Sequence, residues 1–237
     1  MQKRISVLKK LNPGLKRSKK STKWVRPTNS FVIDIKGGIA FSARAHRMIR
    51  LDPSIPMNVF RAFLKIRESK GNFSKSGSVL FENLFSARGE IGNGFFKMKI
   101  GKRNLFVKVI ENKKIKQKFS PNHDLALSQF NSLVEARELI ENSIYNKCFD
   151  VVAPEFAFVS GKYSFLVTDF VNLETMVEIL HGKDHTLAKR VHEALPVFQM
   201  GVNFLTKKGF LDLGVHNTFY SPKTKKFTFF DLRKHFE

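Results

Sequence analysis

The chain has 237 residues, 42% of them hydrophobic, with 25 phenylalanines and a formal net charge of +22. That length allows one generous domain or two small ones, and a single cysteine, Cys148, excludes an internal disulfide framework or cysteine metal site and suits a reducing cytosol. No apolar run approaches the roughly 18 residues of a membrane span, so the expectation is a cytoplasmic protein with a phenylalanine-packed core and polyanionic partners.

Residues 1–30 hold ten Lys or Arg and no acid. Pro13, Gly14 and Pro27 interrupt them, which predicts an extended or disordered basic arm. Lys9, Lys10, Lys16, Arg17, Lys19, Lys20 and Lys23 have the charge to track nucleic-acid phosphates, and Trp24 has the ring to stack on a base. RNA, the ribosome or another polyanion is the partner expected for this arm. Residues 31–80 form an N-terminal extension. Its apolar run at 31–35, closed by Gly37-Gly38, predicts a short strand. Val59, Phe60, Phe63, Leu64 and Ile66 recur at helical spacing and predict a helix over 57–67. The stretch 69–77 is polar and predicts a loop, with a domain boundary near residue 80.

Strand patterns follow. Phe96, Met98 and Ile100 alternate, a turn at 101–104 comes next, and Leu105-Phe106-Val107-Lys108-Val109-Ile110 completes a hairpin. Gly89, Gly92 and Gly94 precede it with the spacing Gly-x-x-Gly-x-Gly, and such backbone approaches phosphates closely because glycine lacks Cβ. Apolar spacing predicts a helix over 125–144, carrying Glu135 and Glu138. A second hairpin spans 156–171 around Ser160-Gly161-Lys162. A long helix is predicted over 186–207, kinked or interrupted by Pro196. His181 and His185 share the i, i+4 spacing that metals use, but Gly182 stands where a metalloprotease would place its glutamate base.

The last segment carries the chemistry. Asp212 precedes Asn217 by five positions, and Asp231 follows the apolar run Phe227-Thr228-Phe229-Phe230 after a turn at 221–225. Phosphoryl transfer from ATP needs one Asp to orient or deprotonate the acceptor hydroxyl, and an Asn and a second Asp to hold Mg²⁺ on the phosphates.

Taken in order, Lys108, Glu135, the strand Leu166-Val167-Thr168-Asp169-Phe170-Val171, Asp212 with Asn217, and Asp231 resemble the protein-kinase-like superfamily over residues 85–237. The likeness is nearest to its small atypical members: RIO-type kinases, the small kinase of the tRNA threonylcarbamoylation complex, and the sugar and lipopolysaccharide-core kinases. The resemblance implies an α+β, two-lobed fold, with an antiparallel N-lobe sheet in residues 81–171, a minimal C-lobe in 172–237, and ATP between them. It implies that Lys108 meets the phosphates and is held by Glu135, that the glycines cover the nucleotide, and that adenine lies near Asp169 and Phe170. It further implies that Asp212 is catalytic and that Asn217 and Asp231 hold Mg²⁺.

Two departures support a second expectation. Phe210-Leu211 stands where those relatives carry His-Arg or His-Gly, and Asp231-Leu232-Arg233 replaces Asp-Phe-Gly. Six residues follow Asp231, which leaves no room for an activation segment. The alternative is therefore a catalytically weak pseudokinase that serves as a basic RNA-, ribosome- or protein-binding module.

Overall fold

The computed structural model describes residues 30–32, 39–84, 93–111 and 125–234. They form a mixed α+β fold with a large antiparallel sheet. Two compact units divide it. The first gathers the described residues up to Phe130 together with Pro154–Phe170, and the second gathers Asn131–Ala153 and the described residues from Val171 onward.

The first unit is built on eight strands: β1 (Ser30–Val32), β2 (Ile39–Ser42), β3 (Phe73–Ser76), β4 (Val79–Asn83), β5 (Asn93–Ile100), β6 (Arg103–Glu111), β8 (Pro154–Ser160) and β9 (Tyr163–Asp169). Their order is β1-β2-β8-β9-β6-β5-β4-β3, and every neighbouring pair is antiparallel. Two helices supply apolar residues to the same core: α1 (Ala43–Leu51) and α2 (Ile55–Ser69). Ser42 starts α1 by accepting a hydrogen bond from the Ala45 N–H at 3.1 Å, which satisfies an otherwise orphaned donor. Pro56 sits in the first turn of α2, where no backbone donor is needed.

Ile55, Val59, Ala62, Phe63 and Ile66 of α2 fall on one stripe and are buried with Phe81, Phe96, Met98, Val107, Phe165 and Val167 of the sheet. Phe63 is the hub, meeting Phe96, Tyr163 and Phe165 edge-on at centroid distances of 5.7, 4.9 and 5.5 Å. Edge-on rings set the positive rim of one against the negative face of the next. Asp52 ties the end of α1 to the sheet, accepting from the Ser54 N–H at 3.1 Å and from the Ser78 hydroxyl at 2.7 Å.

The second unit contains β7 (Phe149–Val151), β10 (Phe210–Leu211), β11 (Thr218–Ser221), β12 (Lys226–Phe229) and β13 (Arg233–Lys234), with α4 (Met176–His181) and α5 (His185–Thr206). β11 and β12 form a hairpin, and β12 pairs in parallel with β7. Thr175 and Glu178 build a capping box at the start of α4, and Asp184 accepts from the Leu187 N–H at 2.9 Å to start α5. Phe149 stacks on Phe227 and Phe229, and it reaches α5 because residue 201 is glycine: a Cβ there would lie 2.3 Å from its ring. α3 (Leu125–Glu141) crosses the division between the units.

The expected phenylalanine core is present. The eight most voluminous fully buried side chains are all Phe, from Phe81 to Phe229. Three local expectations are corrected. Within the expected loop 69–77, Phe73–Ser76 pairs with β4, because its polar residues suit an edge strand. The sheet runs through residue 80 without a break, so α2, β3 and β4 belong with β5 and β6 rather than to a separate extension. Finally, α5 is not interrupted at Pro196, which lies on an exposed turn of the helix where the carbonyl left without its N–H partner faces solvent.

Candidate functional site

In the second unit the chain doubles back on itself to gather the chemistry-bearing residues. β10 ends at Asp212, whose φ of 61° is left-handed, an uncommon state for a residue with a Cβ. A 3₁₀ turn at Val215–Asn217 follows. The Asn217 N–H donates to the Gly214 carbonyl at 3.0 Å, and the Asn217 side-chain amide donates to the Asp212 carbonyl at 2.9 Å. The amide nitrogen is thereby committed to holding the loop, and Oδ1 is left as the acceptor atom of that side chain.

β11 begins immediately after Asn217, and its partner β12 returns to the same level. Thr218 is opposite Phe229, and the Phe230 N–H donates to the Asn217 carbonyl at 3.0 Å. The hairpin therefore delivers Asp231 next to Asn217. The rings of Phe219 and Phe230 stack at 4.3 Å and brace this end. Asp231 is also left-handed, with φ 55°. Two aspartates in a sparsely populated backbone state within one loop cluster store strain of the kind found at functional sites.

After Asp231, the fully buried Leu232 anchors the chain and β13 pairs with β10: Leu211 faces Arg233 and Phe210 faces Lys234. This brings two cations onto two acids. Arg233 Nε is 3.2 Å from Asp212 Oδ2, a close ion pair whose geometry is not that of an aligned hydrogen bond. The Lys234 ammonium donates to Glu135 Oε1 and stands 5.6 Å from the centre of the Phe210 ring. Glu135 was expected to hold Lys108; its partner in its own unit is Lys234, brought there by the β10–β13 pairing. One turn along α3, Glu138 has a buried Oε1 with no hydrogen-bond partner among the described residues.

In the first unit, Lys108 lies on β6 opposite Phe95 of β5 and Leu166 of β9, half-buried. It is on the fourth strand of the meander β3–β4–β5–β6. Gly94 lies on β5, where packing explains it: a Cβ would meet the Phe96 ring at 2.4 Å. Gly89, Gly92 and the arm residues Lys9, Lys10, Lys16, Arg17, Lys19, Lys20, Lys23 and Trp24 lie outside the described residues. Phe170 follows β9; its N–H donates to the Asn104 carbonyl at 3.4 Å, and Lys97 stands 5.1 Å from its ring centre.

Asp169 belongs to a charged cluster. It accepts from Arg44 and from Arg103, each at 3.1 Å. Arg103 also grips Glu155 with two bonds of 3.3 and 2.6 Å, and Arg44 Nε is 3.4 Å from the same carboxylate. Glu155 is 1% exposed. Burial raises its pKa above the usual carboxylate value, against the lowering pull of Arg103 and Arg44. Burial opposes the charge of Arg103, but the hydrogen bonds and charges of Glu155 and Asp169 outweigh it and raise its pKa. Sequence reasoning missed this cluster. The available signal was Glu155 itself, a carboxylate inside the apolar run after Pro154, which demands a cation when it is buried.

Among the described residues no group of three or more His, Cys, Asp or Glu is arranged to hold a metal. Among them, too, no helix is long and apolar enough to cross a membrane. No family model matches the sequence, and no curated protein matches it.

Proposed function

We propose that the chain is a Mg²⁺- and ATP-dependent phosphotransferase with a protein-kinase-like, two-lobed fold. The observation that carries this reading is the loop cluster of the second unit, where Asn217 is hydrogen-bonded to Asp212 and a hairpin brings Asp231 beside it. Lys108 on a strand of an antiparallel meander, followed in sequence by the acid-bearing helix α3, supports it further.

The donor set suits Mg²⁺. That ion takes hard oxygen ligands, accepts one or two from the protein and keeps the rest as water and phosphate oxygen. Asn217 Oδ1 and the Asp231 carboxylate would hold it, and it would supply charge neutralisation at the phosphates. Asp212 takes the proton of the acceptor hydroxyl. The acceptor oxygen bonds to the γ-phosphorus, the bond from that phosphorus to the bridging β-phosphate oxygen breaks, and ADP leaves. Lys108 neutralises phosphate charge. Of the three acids on α3, Glu141 pairs with Arg137 and Glu135 with Lys234, whereas Glu138 keeps a buried oxygen unpaired.

The deciding experiment uses the full chain. Calorimetric titration with ATP in the presence of Mg²⁺ is expected to show binding, and γ-phosphate transfer to a broad acceptor panel is expected to disappear in Asp212→Ala. Absence of Mg-ATP binding, or equal transfer by wild type and variant, rejects the reading. A second reading, a pseudokinase used as a basic binding module, is favoured by one observation: Arg233 neutralises Asp212. Nucleotide binding without any transfer would select it.

A further inference from the structure

We infer that the acceptor is an alcohol bearing an oxyanion, a phosphate or a carboxylate, close to the hydroxyl that reacts, and that Arg233 recognises it. This rests on the phosphotransferase reading. The starting point is the unused donors of Arg233. Its Nε is buried and stands 3.2 Å from the Asp212 carboxylate, while the side chain as a whole is 40% exposed. Among the described residues Asp212 is its only charged partner, and neither terminal nitrogen has a hydrogen-bond partner. A guanidinium offers five donors in a planar fork that matches phosphate and carboxylate. Here Nε stands in an ion pair without an aligned hydrogen bond, and the fork makes no hydrogen bond among the described residues.

The position of Arg233 is set by backbone pairing. Leu211 is opposite Arg233 across β10–β13, and the adjoining Asp212 is 43% exposed. A hydroxyl delivered to Asp212 therefore brings its neighbouring substituents within reach of Arg233. A bare aspartate would repel an anionic molecule. A guanidinium a few ångströms away cancels that repulsion and adds charge-assisted hydrogen bonds, which are stronger than neutral ones. The neighbouring cation cannot serve instead, because Lys234 is committed to Glu135.

The test measures transfer from Mg-ATP to glycerol 3-phosphate, glycerate and glycerol by the full chain, its Arg233→Gln and Arg233→Lys variants, and Asp212→Asn. The expected result is a kcat/KM at least tenfold higher for one or both anionic acceptors than for glycerol. In Arg233→Gln that ratio falls toward one through KM, and Arg233→Lys keeps only part of it. Comparing the two anions separates a phosphate from a carboxylate requirement. A ratio near one in the wild type, or equal loss on all three acceptors in Arg233→Gln, overturns the inference and leaves the phosphotransferase reading standing. If none of the three acceptors is phosphorylated, titration with glycerol 3-phosphate against glycerol decides the anion site alone, while Mg-ATP binding and the broad acceptor panel decide the phosphotransferase reading. Binding lost in Arg233→Gln retains it, and no binding by the wild type removes it.

Discussion

The side-chain amide of Asn217 donates to the main-chain carbonyl of Asp212 at 2.9 Å, so one residue sets the shape of the loop and, in the proposed reading, also presents an oxygen to Mg²⁺. Asn217→Ala removes both. A single hydrogen bond of this kind contributes about 1 kcal/mol, which lowers Tm by roughly 2–4 °C in a protein of this size. Phosphoryl transfer should fall far more steeply than stability does, by at least a hundredfold. A scan of thermal unfolding beside a transfer assay checks this, and parallel modest losses in both would show that Asn217 is only a loop tie.

Asp212 at φ 61° offers a different separation. Glycine adopts that backbone state freely, while alanine does not. Asp212→Gly is therefore expected to unfold at or near the wild-type temperature, because relief of strain offsets loss of a half-exposed ion pair contributing about 0–1 kcal/mol. Asp212→Ala should be less stable than Asp212→Gly by about 1 kcal/mol. Both should be inactive. Equal stability of the two variants would show that residue 212 carries no backbone strain.

Gly201 sits in α5 against the Phe149 ring, where a Cβ would come within 2.3 Å. Alanine is the better helix former by about 1 kcal/mol, but overpacking a filled core typically costs about 1–3 kcal/mol. Phe149 is buried between Phe227 and Phe229 and has nowhere to yield. Gly201→Ala is expected to be destabilised, with a midpoint shift in urea and an unchanged slope. A stabilised variant would mean that the ring moves freely.

The pKa of Asp52 lies below the usual carboxylate value, chiefly because the Ser54 hydroxyl donates to it, with Ser78 also donating and burial opposing. A depressed acid stabilises the fold above its unfolded-state pKa, and that contribution is lost as pH falls through the folded-state value. The stability gap between wild type and Asp52→Asn should thus be full near neutral pH and should shrink below about pH 4. Urea midpoints measured from pH 7 down to pH 3 test the sign. A gap that widened in acid would contradict it.

What was legible in the sequence was local. Alternation marked β5, apolar runs beside turn residues marked β6, β8 and β9, and the apolar stripe of α2 showed because one face of that helix enters a core. The hairpin around 221–225 and the loop order Asp212, Asn217, Asp231 also lay in short stretches. Pairings between distant residues were hidden. Nothing near Arg103 signals that it will grip Glu155, and nothing near Lys234 announces Glu135. β3 was obscured because an edge strand in water is polar on purpose. Asp212 and Asp231 could be selected by chemistry, but their left-handed backbone emerged only once β10, β12 and β13 fixed the chain on either side.

The parallel pairing of β7 with β12 has a consequence for how the chain is made. The first unit has all its strands once Asp169 has been synthesised, since β9 is the last of them. The second unit remains open much longer: Phe149, Asp150 and Val151 wait for Phe227, Thr228 and Phe229. Domains fold in the order in which they emerge, and exposed strand edges in half-made ones are prone to aggregate. The first unit can therefore close while the ribosome is still translating, whereas β7 spends that interval as an unpaired apolar edge. Synonymous codon changes that slow translation between β9 and β12 should lower the soluble yield without altering a single residue.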